Sequence, residues 1–230
     1  MSADRTFRTF THRQAVLRIC CDRYAAATAE IVRQRKLLDR YIATHPGFKT
    51  AFEPIALHAG APEIARRMAR AAQIVGVGPM AAVAGAMAQR AAEAAMDLGS
   101  MEAIVENGGD IYVRVAAPVT IGLDSGAAKL GARLAFVLQP RQTPLAICSS
   151  SGLMGHSTSL GRCDLATVVA HDAALADAAA TFAANLVQRE SDIDMALDAI
   201  SALDGIDGLL IVKNERIGLA GRLPKLVKRK

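Results

Sequence analysis

The chain has 230 residues, of which 52% are hydrophobic, 21% charged and 4% aromatic, with no tryptophan. That length buries a sizeable core without disulfides or a metal scaffold, and the apolar fraction excludes a disordered chain. The formal charge of +5 comes with no basic stripe interleaved with aromatics, which argues against nucleic-acid binding. In chain order, AVLRICC (15–21) reads as a strand and 24–41 as a helix with Ile31, Leu37, Leu38 and Tyr41 tending to one side and arginines to the other. His45-Pro46-Gly47 ends that helix. Pro62 opens another reaching residue 72, and Gly76-Val77-Gly78-Pro79 runs into an alanine-rich helix over 80–98, stopped by Gly99. Strands are predicted at 103–106, 111–123, 132–139, 145–149, 165–170 and 209–213, and helices at 173–187 and 193–203. KLVKRK (225–230) reads as a solvated tail.

This alternation predicts an α/β (α+β) fold, a single domain over 1–230 with helices packed on a largely antiparallel sheet. The longest charge-free stretch, 71–89, holds Gly76, Gly78 and Pro79 and is followed by Arg90 and Glu93, so a buried turn and helix explain it better than a bilayer. The four cysteines have no CxxC spacing, and Cys20 and Cys21 point to opposite faces of a strand. The first residues lack the apolar centre of a signal peptide, so the expected location is cytoplasmic, with no membrane partner.

Four segments carry chemistry. In GVGPM (76–80), Gly76 and Gly78 precede a helix whose N-terminal amides would face an anion, although a tight turn without ligand fits equally. In ENGGDI (106–111), Gly108 and Gly109 permit positive φ while Asn107 and Asp110 bring oxygens to the bend; a plain hairpin turn is the alternative. Ser149, Ser150, Ser151 and Gly152 form a polar cradle suited to phosphate, with His156 placed for proton transfer; the alternative is a polar loop. Asp177 and Thr181 share a helix face and suit a hard cation such as Mg²⁺, or else serve only the helix itself. His12, His45, His58 and His171 show no ligand spacing and are expected to be solvated or satisfied in the core.

Together GVGPMAAVAGAMA, ENGGDI, CSSSGLMGHSTSLGRCD and ADAAATFAAN, with LLDRYIATHPGF before them, resemble an uncharacterised protein family of bacteria and archaea, numbered two-eighty in the UPF series. That family is similar in turn to the ApbE flavin transferases, which move FMN from FAD to a threonine or serine of a target protein using Mg²⁺. The resemblance implies an ApbE-like fold of the T-fold type. It also implies that Asn107 to Ile111 lie at a flavin nucleotide, that Ser150-Ser151-Gly152 match the TSG turn, and that Asp177 and Thr181 bind metal. The transferases' long N-terminal portion has no counterpart in the sequence.

The function so implied is Mg²⁺-dependent binding or transfer of FAD, FMN or a related nucleotide, with an unidentified acceptor protein and a possible homo-oligomer. Asp110 and His156 would be catalytic. A non-catalytic flavin-binding or assembly protein, or an enzyme of a pterin-type one-carbon cofactor pathway, is the alternative.

Overall fold

The computed structural model describes residues 5–123, 134–152 and 161–228. In chain order the elements are β1 (Arg8–His12), β2 (Ala15–Cys21), α1 (Tyr24–Thr44), α2 (Gly47–Thr50), α3 (Glu63–Val75), α4 (Val83–Asp97), β3 (Ala103–Asn107), β4 (Asp110–Arg114), β5 (Val119–Leu123), β6 (Leu134–Leu138), β7 (Leu145–Ser150), β8 (Leu165–Ala170), α5 (Ala173–Leu186), α6 (Ile193–Ser201), β9 (Ile206–Lys213), β10 (Arg216–Gly221) and β11 (Lys225–Lys228). Eight strands form a sheet in the order β1-β2-β3-β4-β7-β8-β9-β10, and β11-β6-β5 form a second. Every paired neighbour is antiparallel. The expected α/β (α+β) architecture, helices on an antiparallel sheet, is the one observed.

The pleat sends alternate residues of the large sheet to opposite faces. Leu17, Val105, Tyr112, Cys148, Val168 and Ile211 meet the helices. Ile104, Val113, Ile147, Leu165 and Leu210 meet Ile121, Phe136 and Leu138 of the small sheet. With both faces covered, all six residues of β8 are buried, which is why that strand reads as one continuous apolar run.

The alanine-rich helix begins later than its composition suggests. Pro79–Ala82 is a 3₁₀ turn and α4 starts at Val83. Gly76, with φ of +84°, closes α3: its amide and that of Val77 donate to the Ala72 carbonyl at 2.8 and 3.2 Å. The expected strand over 111–123 is two strands in different sheets. Pro118 has no amide for a ladder, and the Glu102 carboxylate accepts the amides of Ala116 (2.8 Å) and Ala117 (3.2 Å) at the break. The expected solvated tail is also corrected: Lys225–Lys228 pairs with β6, and Leu226 packs against the core between the two sheets.

All four cysteines are free thiols. No single helix among the described residues is long and apolar enough to cross a membrane; Glu63–Val75 with Pro79–Asp97 reach that length only as a pair bent by 109°.

The turn before α4 is held by a close backbone contact. A Cβ at residue 78 would stand 1.8 Å from the Ala51 carbonyl oxygen, whereas one at Gly47 would meet nothing within 4 Å. Gly78→Ala is therefore expected to destabilise the fold by about 1–3 kcal/mol, and Gly47→Ala to stay within about 0.5 kcal/mol of wild type. Thermal melts of the two variants check this.

Candidate functional site

The N-terminus of α4, the β3–β4 hairpin, the end of β7 and the middle of α5 converge on one face of the large sheet. Gly108 and Gly109, with φ of +67° and +104°, make a two-residue turn in which Asn107 pairs with Asp110. Asn107 points to the helix side and its amide donates to the Ala84 carbonyl at 3.1 Å. The Gly85 amide donates to Asp177 Oδ2 at 2.8 Å. The hairpin and the site thus occupy the same residues, so the two readings of ENGGDI do not compete.

The amides at the start of α4 are directed at the protein's own Asp177, through Gly85 rather than through the Gly76–Gly78 turn. Position 85 must be glycine for this contact. A Cβ there would lie 2.2 Å from the Ala173 carbonyl oxygen and 2.9 Å from Asp177 Cβ. Gln89, one turn further, accepts the Ala173 amide at 2.8 Å and ties α4 to the start of α5.

Asp110 and Asp177 are both buried, at 6% and 8% exposure. Burial pushes the Asp110 carboxyl well above its ordinary range, and the negative charge of Asp177 pushes it further. Burial also raises Asp177, to about 7, against the lowering effect of the Gly85 and Ala84 amides. Cys148 lies beside both and is raised by burial and by their charges. Among the described residues no lysine, arginine or histidine forms an ion pair with either aspartate. Asp110 Oδ1 is buried with no hydrogen-bond partner.

Thr181 is half-buried one turn beyond Asp177 on the same face of α5. Thr28 and Thr44 bond back to carbonyls four residues earlier, at 3.1 and 3.4 Å. Among the described residues the Thr181 hydroxyl makes no such bond, so the reading in which it serves only its own helix has no support.

The serine cradle is divided. Ser149 faces the opposite side of the sheet from Asp110, and its hydroxyl shares a 2.9 Å hydrogen bond with Thr167. Ser150 follows Cys148 on the helix side. Ser151 is buried with its hydroxyl 3.4 Å from the Cys163 carbonyl, and the Gly152 amide donates to that carbonyl at 2.8 Å. A Cβ at Gly161 would lie 1.9 Å from the Ala184 carbonyl oxygen, so the base of this loop rests on α5 one turn beyond Thr181. His156 lies outside the described residues. Gly76 caps α3 and Gly78 packs on Ala51, which gives both glycines work apart from any phosphate. Two cavities, of about 360 and 330 Å³, lie away from the carboxylates, one lined by Arg5, Cys21 and Glu102 and the other by Tyr41, His45 and His58.

Sequence reasoning missed Gly85 and Cys148 as parts of this site. The only signal for Gly85 was a lone glycine inside an alanine run.

A family profile described as "AbpE bacteria" matches residues 2–204. The chain belongs to that family. It is 40% identical over 224 residues to a UPF0280 protein of Archaeoglobus fulgidus, covering 94% of this chain and 92% of that one. A UPF0280 protein of Methanosarcina acetivorans is 35% identical over 223 residues, covering 95% and 88%. Among solved structures, the flavin transferase ApbE from Vibrio cholerae aligns with a TM-score of 0.53 and 13% identity, over 98% of this chain and 97% of that chain. The ApbE protein of Thermotoga maritima aligns with a TM-score of 0.56 and 13% identity over 98% and 97%. The fold is therefore ApbE-like. The expected absence of an N-terminal counterpart does not stand, since the alignment with the Vibrio cholerae chain runs over nearly all of it.

The carboxylate pair fixes the sign of a pH effect. A carboxyl with a raised folded pKa binds its proton more tightly folded than unfolded, so stability falls as pH rises from the ordinary carboxylate range near 3.8 towards about 7. In the absence of divalent cations, the melting temperature of the wild type is expected to drop between pH 5 and 8. In Asp110→Asn/Asp177→Asn it should stay closer to level, with the double variant the more stable at pH 8; melts in chelator across that range check it.

Proposed function

We propose that the chain binds a flavin nucleotide, FAD or FMN, through its phosphates and Mg²⁺, and acts on it as a transferase. The observation that carries this reading is the buried Asp110–Asp177 pair, which among the described residues has no cationic side chain beside it and leaves one carboxylate oxygen without a partner. Two buried carboxylates without a counter-charge are costly, and a bound cation removes that cost. The donors fit Mg²⁺: two carboxylates and the Thr181 hydroxyl are all hard oxygens. Among the described residues no three His, Cys, Asp or Glu side chains are grouped to hold a metal. A cation here would thus be held by one or two carboxylates, with water and substrate phosphate completing its shell, which is how Mg²⁺ is usually bound.

In this reading Asp177 and Thr181 hold the cation, and Asp110 orients it towards the β3–β4 hairpin. Asn107, Gly108 and Gly109 let the nucleotide approach the backbone closely. Ser150, on the helix side of β7, together with Ser151 and Gly152 at the base of the following loop, borders the phosphates. His156 would carry the proton of the acceptor hydroxyl. When bound, Mg²⁺ supplies stabilisation of charge developing on the leaving phosphate. The names of the solved relatives, flavin transferases, accord with this chemistry.

Thermal shift with FAD tests the reading. At concentrations near 100 times the dissociation constant, FAD with Mg²⁺ should raise the wild-type melting temperature by roughly 5–10 °C. Asp177→Asn and Thr181→Val should lose the Mg²⁺-dependent part. A wild type that shows no Mg²⁺-dependent shift with either FAD or FMN overturns the proposal, and FAD recovered intact after incubation with Mg²⁺ and candidate acceptors reduces it to binding.

A further inference from the structure

The sequence gives His45 and His58 no ligand spacing, yet the fold brings their rings to a centroid distance of 4.1 Å. They lie at the 330 Å³ cavity, where the end of α1 meets α2 and the extended segment after it. His45 Nδ1 lies 3.2 Å from the Tyr41 carbonyl and 2.9 Å from the Thr44 hydroxyl. Among the described residues Nε2 has no hydrogen-bond partner, and in the tautomer whose Nδ1–H donates to the Tyr41 carbonyl it is the nitrogen that offers a lone pair. An imidazole whose far nitrogen is fixed by a backbone carbonyl is the usual support of a metal-ligating histidine.

His58 is held from the same helix turn, because the Tyr41 hydroxyl accepts the His58 backbone amide at 3.3 Å. Tyr41 is itself stacked on His45 at 4.6 Å and braced edge-on by Phe48 at 5.2 Å. Among the described residues the His58 ring makes no hydrogen bond, and it is exposed to solvent. Metal–nitrogen distances of about 2.1 Å place the centroids of two rings on one tetrahedral ion about 5 Å apart, so the pair at 4.1 Å opens by about 1 Å on binding, a movement the exposed His58 ring makes by side-chain rotation.

We propose that His45 and His58 form a two-histidine site for a borderline divalent cation such as Zn²⁺, its remaining positions open to the cavity for water or a small ligand. Neutral imidazole selects Zn²⁺, Ni²⁺ or Cu²⁺ over Mg²⁺. The site is therefore chemically distinct from the oxygen donors of Asp110, Asp177 and Thr181. It stands on residues the proposed function does not use.

Equilibrium dialysis of the full chain against Zn²⁺, with and without excess Mg²⁺, tests this. The wild type should retain one Zn²⁺ that Mg²⁺ does not displace. His58→Ala, at an exposed position, should lose that ion while keeping the wild-type circular dichroism spectrum, and His45→Gln should lose it too. Asp177→Asn should keep it. Zn²⁺ retained equally by the wild type and by both histidine variants, or no Zn²⁺ retained by the wild type, overturns the proposal.

Discussion

The approach of α4 to α5 decides what the carboxylates can do. The two helices meet where α4 carries Gly85, and a side chain there would collide with the Ala173 carbonyl and with Asp177 itself. Only that contact lets the α4 amides reach the Asp177 carboxylate, and the partial positive charge of a helix N-terminus is felt only within its first turn. The alanines have the same cause. Ala86, Ala88, Ala91 and Ala92 on α4, and Ala176, Ala178, Ala179 and Ala180 on α5, are all wholly buried. Small side chains let helix backbones lie near one another and near the sheet, where branched residues would hold them apart.

Against this close packing the carboxylates stand out. A buried aspartate is ordinarily paired with a base or satisfied by several amides. Asp177 is half satisfied in that way, and Asp110 less so, with one oxygen unpartnered. Elsewhere the protein pairs its partly buried acids with arginine: Glu30 and Glu93 are bridged by Arg90 at 2.8 and 2.5 Å, and Arg67 joins Glu93 at 2.8 Å. Arginine is thus used freely between α1, α3 and α4, and among the described residues none joins the Asp110–Asp177 cluster. A site that takes up a cation needs that arrangement, since a resident guanidinium would compete for the same oxygens.

Local pattern made much of the fold legible and left register and long-range contact hidden. The β-rich runs, the continuous apolar stretch of β8 and the Asn-Gly-Gly turn located β2, β3, β8 and the start of β4 because each depends on neighbours in sequence. The strand expected over 111–123 failed because its break rests on Glu102, which accepts the Ala116 and Ala117 amides from 14 and 15 residues away. The serine cradle was half legible for a similar reason. Composition marks Ser149 and Ser150 alike, but the pleat turns one towards Thr167 and the other towards α5. Asp177 with Thr181 was readable because spacing of four is local to a helix. Gly85 and Cys148 were not, since what defines them is which backbone lies opposite.

The low aromatic content bears on which end of a nucleotide this scaffold can grip. All three tyrosines are engaged in the fold: Tyr24 lies under the Arg8 guanidinium at 3.8 Å, Tyr41 stacks on His45, and Tyr112 is buried beneath the helices. None borders the aspartate pair through a contact seen here. A ring held by stacking gains its affinity from aromatic faces, and the tyrosine faces are engaged elsewhere. The oxygens of Asp110, Asp177 and Thr181 and the glycine turn at 108–109 offer instead a cation and close backbone approach, the two features that phosphate recognition uses. Recognition in the proposed reading therefore starts from the diphosphate and not from a tyrosine stacked on the ring.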